Sequence, residues 1–226
     1  MGIGAETQRT GQKALAFAVS HPEPHGNVST EIHRSGGPFT LVPLPDREGR
    51  PASAVVWMER GPEALRLATL PVPAFEAAMT ERSAGVLGPL RLLTRRSLWP
   101  ILTQLADRLT APRVALIAEA AHVIPPIGAQ GLNMSLRDLQ VLLDLAQGPD
   151  ELGGPAMLSA YAARRGRDVH LRARGIDLLN QASMLEARPL RDLRAGALGL
   201  LYSLPPVRRA LMQAGLGAGG TGKAES

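Results

Sequence analysis

The sequence predicts an α+β protein: an antiparallel sheet first, then one strand of parallel type, then helices. Three observations predict it. Residues 1–60 hold short apolar segments joined by turn-formers, residues 113–118 form one uninterrupted apolar run, and from residue 131 onward the apolar spacing is helical. A chain of 226 residues, 45% apolar with a net charge of +5, can build a real core and is not disordered as a whole.

Ala14–Val19 is apolar on both sides, while Val28, Thr30 and Ile32 alternate with Ser29, Glu31 and His33 in the period of a half-exposed strand. Phe39–Val42 and Ala54–Met58 follow. Their joints are His21–Asn27, Ser35–Pro38, and Pro45-Asp46 through Gly49-Arg50-Pro51, and such short connections imply an antiparallel meander. Residues 62–110 change character. Glu63–Leu70 and Ala74–Val86 have helical composition, and Phe75 and Met79, one turn apart, read as core packing.

Arg113–Ala118 has the length of a strand covered on both faces, as strands of parallel sheets are. No other segment looks like its parallel neighbour, so either it joins the antiparallel sheet or its partners lie outside these residues. After residue 131, Leu132, Leu136, Leu139, Leu142 and Leu143 form one helical stripe. Leu158–Leu179 and a block from Arg188 to Ala214, broken by Pro205-Pro206, continue the helical pattern, and the glycine-rich tail Gly215–Ser226 is expected to be disordered.

Composition removes several function classes. The absence of cysteine excludes disulfides, thiolate metal sites and thiol catalysis, and the scattered His21, His25, His33, His122 and His170 make no metal-ligand pair. The positive charge forms no clustered patch with a recognisable module, so no nucleic-acid partner is expected. Residues 1–14 lack the features of an export signal, and the longest apolar stretch, Ala195–Leu204, is too short to span a bilayer. The expectation is a soluble, cytoplasmic protein.

The chemistry concentrates between Val114 and Asp138. An apolar strand ends in an acid, Glu119, a proline-rich turn follows, and a Gly-x-x-Gly loop (Gly128, Gly131) opens a helix. Glycine lets the backbone approach a ligand, and a helix N-terminus adds unpaired N–H groups and partial positive charge. Such a place suits an electron-rich or anionic group, although a tight turn opening a helix is an equally ordinary reading.

This segment resembles the second FAD-binding motif of the class A flavoprotein monooxygenases, the group of para-hydroxybenzoate hydroxylase and the UbiH/UbiF/VisC ubiquinone-biosynthesis hydroxylases. In that motif a strand ends in Gly-Asp, then come Ala-Ala-His, a proline turn, Gly-x-Gly-x-Asn and a helix closing on Arg-Asp. Here those places read Ala118-Glu119, Ala120-Ala121-His122, Pro125-Pro126, Gly128–Asn133 and Arg137-Asp138. Gly37-Pro38 through Pro43-Leu44, Val55-Val56-Trp57, Tyr161 through Arg164-Arg165 to Asp168, and Ile176–Asn180 resemble further stretches of the ubiquinone branch, so the resemblance spans about residues 5–214.

The resemblance implies an incomplete para-hydroxybenzoate-hydroxylase-like fold, α/β in the intact family, with FAD as cofactor and NAD(P)H as reductant. It implies a substrate-binding sheet and helices at 1–110, the flavin motif at 111–146, a helical region at 147–214 and a tail at 215–226. Glu119 would meet the ribityl chain, Pro125 and Pro126 would border the substrate cavity, and Gly128, Ala129, Gln130, Gly131, Leu132 and Asn133 would lie along the pyrimidine edge of the flavin. No side chain is identified as a catalytic acid or base. Two departures stand out: Ala118-Glu119 replaces Gly-Asp, and the N-terminal Gly-x-Gly-x-x-Gly unit of the family is not found, Gly2–Thr7 being no substitute.

The implied activity is hydroxylation of a polyprenylated phenol with O2. The alternative is a non-catalytic fragment or interaction subunit that needs a separate FAD-binding half. Ordinary roles are expected for the remaining residues: His122 as a structural hydrogen-bonder, and Arg137 and Asp138 pairing locally or capping the helix. Arg164, Arg165, Arg167, Arg172 and Arg174 read as a solvated face with ion pairs to Asp168 and Asp177. The competing reading of this basic face is contact with an anionic membrane surface. It extends to Arg188, Arg191 and Arg194, would make the protein peripheral at the inner membrane, and leaves room for other ubiquinone-biosynthesis proteins as partners.

Overall fold

The computed structural model describes residues 2–184 except 35, 128, 129, 149 and 150. The helical block at 188–214, its basic residues and the tail therefore lie outside the described residues. The described chain falls into two compact units, one built on Arg9–Leu102 with the end of the last helix from Leu179, the other on Thr103–Leu178 with the stretch up to Gln8. Among the described residues no helix is long and apolar enough to cross a membrane.

The first unit is an antiparallel sheet covered by helices. Its strands are β1 (Ala5–Ser20), β2 (Thr30–Arg34), β3 (Gly37–Arg47), β4 (Arg50–Arg60), the short β5 (Arg91–Leu92) and β6 (Ser97–Ala106), in the order β2-β3-β4-β1-β6 with β5 also on β1. The register sets Leu15 opposite Trp57, Phe17 opposite Val55 and Leu41 opposite Val55. Leu15, Phe17 and Val19 therefore enter the core, and Ala16 and Ala18 between them face the other way.

Helices α1 (Gly61–Thr69) and α2 (Val72–Arg82) each begin with proline in the first turn, where its missing N–H costs nothing. They bury Ala64, Leu67, Phe75 and Met79 against Phe17, Phe39 and Trp57. Phe75 meets Phe17 edge-on at 5.1 Å, and the Arg96 guanidinium covers its ring at 4.7 Å.

Three boundaries differ from the sequence expectation. The β3–β4 joint is only Glu48-Gly49, both at positive φ (52° and 73°), a two-residue hairpin; Pro45 falls at a register irregularity, where a strand tolerates it. Val28 stays exposed outside β2. Strand β6 was not expected at all, because Pro100 interrupts its pattern with Trp99 and Pro100 exposed, yet Ile101 and Thr103 are buried in the alternation of a strand.

The start of β3 has a specific anchor. Arg82 donates to the carbonyls of Gly37 and Ile32, and Gln12 Nε2 donates to Gly36 O at 3.0 Å. Gly36 has φ 92°, a conformation that side-chain-bearing residues rarely adopt, so glycine suits this loop.

In the second unit the apolar run at 113–118 pairs over two residues only. Strand β8 (Val114–Ala115) makes an antiparallel hairpin with β7 (Thr110–Ala111) through Pro112-Arg113, where Arg113 has φ 58°. Val114–Ala118 is half-buried rather than covered on both faces. The run ends in a 3-10 turn, Ala118–Ala120, and β9 (His122–Val123) pairs with Gln104 and Leu105 of β6. Two helices follow, α3 (Gln130–Ala146) and α4 (Pro155–Ser183). The buried face of α3 is Met134, Asp138 and Val141, so Leu132, Leu136, Leu139 and Leu143 of the leucine stripe point outward while Leu142 is half-buried.

Candidate functional site

The site is built around a carboxylate. Asp138, 1% exposed, lies on the buried face of α3 and accepts from three directions. The Ala118 backbone N–H reaches Oδ2 at 2.9 Å, His122 Nε2 reaches the same oxygen at 2.7 Å, and Arg165 Nε reaches Oδ1 at 2.7 Å. Facing a carboxylate, His122 Nε2 is the protonated nitrogen. Burial alone would push the Asp138 pKa up. The bonds from His122, the Ala118 amide and Arg165 outweigh it, and the carboxyl stays below its usual range.

Arg165, also 1% exposed, extends the network. Its other nitrogens meet Asp168 and, at 3.4 Å, the Met134 carbonyl. Asp168 in turn accepts Arg172 Nε at 2.8 Å, and Arg172 donates to Gln130 Oε1 at 3.3 Å. Tyr161, fully buried, donates its hydroxyl to Leu116 O at 2.8 Å and so fastens the segment before the turn. Burial pushes its phenol far up, which keeps it an O–H donor.

The turn that these bonds hold is strained. Ala118 has φ 53°, a left-handed conformation that costs an L-residue about 1–2 kcal/mol. It stands where the resembled motif has glycine, which explains why glycine is the natural residue there. Glu119 follows it, exposed at the surface of the turn.

At the other end of the motif, Ile127 is buried and its N–H bonds Pro125 O at 2.8 Å; Pro125 is buried and Pro126 exposed. Gly128 and Ala129 lie outside the described residues. Helix α3 then begins with Gln130 and Asn133 half-buried, Leu132 exposed and no acid in its first turn. A β-carbon on Gly131 would meet nothing within 4 Å, so the helix start is open. These residues fit part of a flavin: the positive end of a helix, unopposed by an acid, suits an electron-rich ring edge, and an exposed carboxylate suits a polyol chain.

The arrangement corrects two expectations. Asp138 does not pair with Arg137 or cap its helix; it serves the turn, His122 and Arg165. Arg165 does not belong to a solvated face, and Asp177 accepts from Thr103 at 2.6 Å. The sequence did hold a signal: Asp168 lies three residues after Arg165 and four before Arg172, the spacing of one helix face. His122 is the structural hydrogen-bonder expected.

Comparison with known proteins shows the family. A family model described as FAD binding domain matches residues 7–172. Ubiquinone hydroxylase UbiL of Rhodospirillum rubrum is 31% identical over 220 residues, covering 96% of this chain and 50% of that protein. The 3-demethoxyubiquinol 3-hydroxylase of Escherichia coli is 24% identical over 197 residues, covering 85% and 49%. Among solved structures, Klebsiella pneumoniae HpxO, complexed with FAD and uric acid, superposes with a TM-score of 0.64 at 18% identity over 86% of this chain and 50% of its own, a likeness of fold. The chain spans about half the length of the curated relatives it matches. By the match over residues 7–172, on a chain whose turn and helix start fit a flavin edge, the protein belongs to the FAD binding domain family.

Proposed function

We propose that this chain supplies the substrate sheet and the flavin edge of an FAD-dependent aromatic-ring hydroxylase of ubiquinone biosynthesis, acting on a polyprenylated phenol with O2 and with NAD(P)H as reductant. The observation that carries the reading is the held turn at Ala118-Glu119 together with the open, acid-free start of α3. The names of the relatives supply the substrate class. When bound, FAD with NAD(P)H as reductant would supply the oxygen activation that such a hydroxylation requires.

The chain's own residues bind and orient. Glu119 accepts hydroxyls of the ribityl chain, and the N–H groups at Gln130–Asn133 stabilise negative charge on the pyrimidine edge. Gly128 and Ala129 complete that edge, and Pro126 borders the ring cavity. Residues 1–110 form the substrate sheet, whose half-buried face of Ala16, Ala18, Ala54, Val56 and Thr40 offers small side chains to a flat ring. Substrate reaches the protein from lipid, with the chain peripheral at the membrane.

The second reading, an interaction subunit completed by a separate FAD-binding half, is favoured by the outward leucines of α3. One experiment separates them: titrate purified chain with FAD, then add NAD(P)H and a short-chain prenylated phenol. Saturable binding with hydroxylated product carries the first reading. Flavin binding only after an FAD-binding half is added favours the second, and no flavin binding, alone or with that half, rejects both.

A further inference from the structure

The two ends of the flavin motif are joined by an unbroken line of polar contacts. It starts at the Ala118 N–H, passes through Asp138, Arg165 and Asp168, and ends where Arg172 holds the side-chain amide of Gln130. We infer that Asp138 is a positioning residue for the flavin, holding Ala118-Glu119 in the left-handed turn and tying that turn, through Arg165, Asp168 and Arg172, to the start of α3. The inference rests on the flavin reading proposed above.

Two physical points carry it. First, Ala118 at φ 53° keeps an unfavourable conformation only while something opposes relaxation, and the bond from its N–H to Asp138 is that restraint. If the restraint is lost, the backbone turns toward an ordinary region and Glu119 is displaced with it. Second, a buried ionic chain contributes little net stability compared with apolar packing of the same volume, so its value here is directional. Both Asp138 oxygens face donors: Oδ2 faces the Ala118 amide and His122, Oδ1 faces Arg165. An amide side chain would turn an NH2 group toward one of them, so Asn at this position preserves shape and breaks the geometry.

The test uses the whole chain as wild type, Asp138→Asn, Ala118→Gly, the double variant and Arg172→Met. FAD affinity is read by flavin fluorescence, exchange of the Ala118 amide by NMR, and thermal midpoint by calorimetry. Asp138→Asn is expected to expose the Ala118 amide to exchange and to weaken FAD by about tenfold or more. Glycine adopts the turn unaided, so Ala118→Gly in the Asp138→Asn background is expected to recover most of that affinity while the thermal midpoint stays low. A purely structural Asp138 would instead lose both together.

Unchanged exchange and affinity in Asp138→Asn, or no recovery of affinity in the double variant, overturns the inference. Should Asp138→Asn fail to fold, Arg172→Met decides. It is expected to weaken FAD by about threefold with the Ala118 amide still protected, and unchanged affinity overturns the link to Gln130. A wild-type chain that binds no FAD rejects the flavin reading itself. Ala118 exchange in Asp138→Asn then still decides whether Asp138 holds the turn.

Discussion

The two compact units are held together by different physics. In the unit of Arg9–Leu102, Leu15, Phe17, Val19, Phe39, Leu41, Val55 and Trp57 of the sheet close on Ala64, Leu67, Phe75 and Met79. That attraction is non-directional and scales with area removed from water. In the unit of Thr103–Leu178, where Leu109, Ala121, Val141 and Tyr161 form one apolar cluster, a buried ionic pair, Asp138 and Arg165, is added to the apolar packing. Directional bonds there fix one backbone conformation, the left-handed Ala118. The first unit is shaped by the area it buries, and the second also by the geometry of one hydrogen-bonded turn.

The sharpest way to break this contrast is to remove the centre of each unit. Phe75→Ala deletes a fully buried ring that touches Phe17, Trp57 and Arg96, and is expected to cost about 3–5 kcal/mol by denaturant titration. Asp138→Ala leaves Arg165 buried without one of its two carboxylates, with an expected loss of about 3–5 kcal/mol. The divergence lies in repair. Phe75→Leu is expected to recover most of the loss, whereas Asp138→Leu, branched alike but bulkier and apolar, leaves the Ala118, His122 and Arg165 donors unmet and recovers little.

That contrast also decides what was legible in the sequence. Leu15, Phe17 and Val19 alternate, and Phe75 and Met79 fall one turn apart, so the apolar unit announces itself through periodicity. The ionic unit does not. Asp138 stands in the buried phase of α3 while the leucines that set the visible period, Leu132, Leu136, Leu139 and Leu143, are exposed. Arg165 looked like a surface base because its partner Asp138 lies 27 residues away. The opening of a helix after the glycine loop was readable from the ordered residues, but the reason that the preceding turn tolerates Ala118 is a tertiary hydrogen bond.

Acid sharpens the comparison with opposite signs. Asp138 and Asp168 have folded pKa values below the ordinary range, so their contribution is complete above that range and is lost as pH falls through the folded values. In the apolar unit, burial raises Glu59 more than its bonds to Trp57 and Arg82 lower it. Its folded value lies above its unfolded one, so rising pH through that interval removes stability and acidification restores it. Below about pH 4, near the ordinary carboxylate pKa, amide exchange is expected to open Ala118 while Phe17 and Val55 remain protected. Simultaneous opening would mean that the two units share one cooperative transition.

Two smaller changes probe the edges of the ionic unit. Ala118→Gly relieves a left-handed alanine and is expected to raise stability by about 1 kcal/mol, a modest gain because glycine also loses more entropy on folding. Smaller still is Leu136→Gln on the outward face of α3. Leu136 is 55% exposed, and surface substitutions away from special features stay within about 0.5 kcal/mol. Fully burying a leucine is worth about 1.5–3 kcal/mol, so a measured loss above about 1 kcal/mol cannot come from the side chain as it sits. Such a loss would mean that another apolar surface covers the α3 leucines in solution. It would extend the apolar mode of packing to the ionic unit, through a face its own fold leaves open.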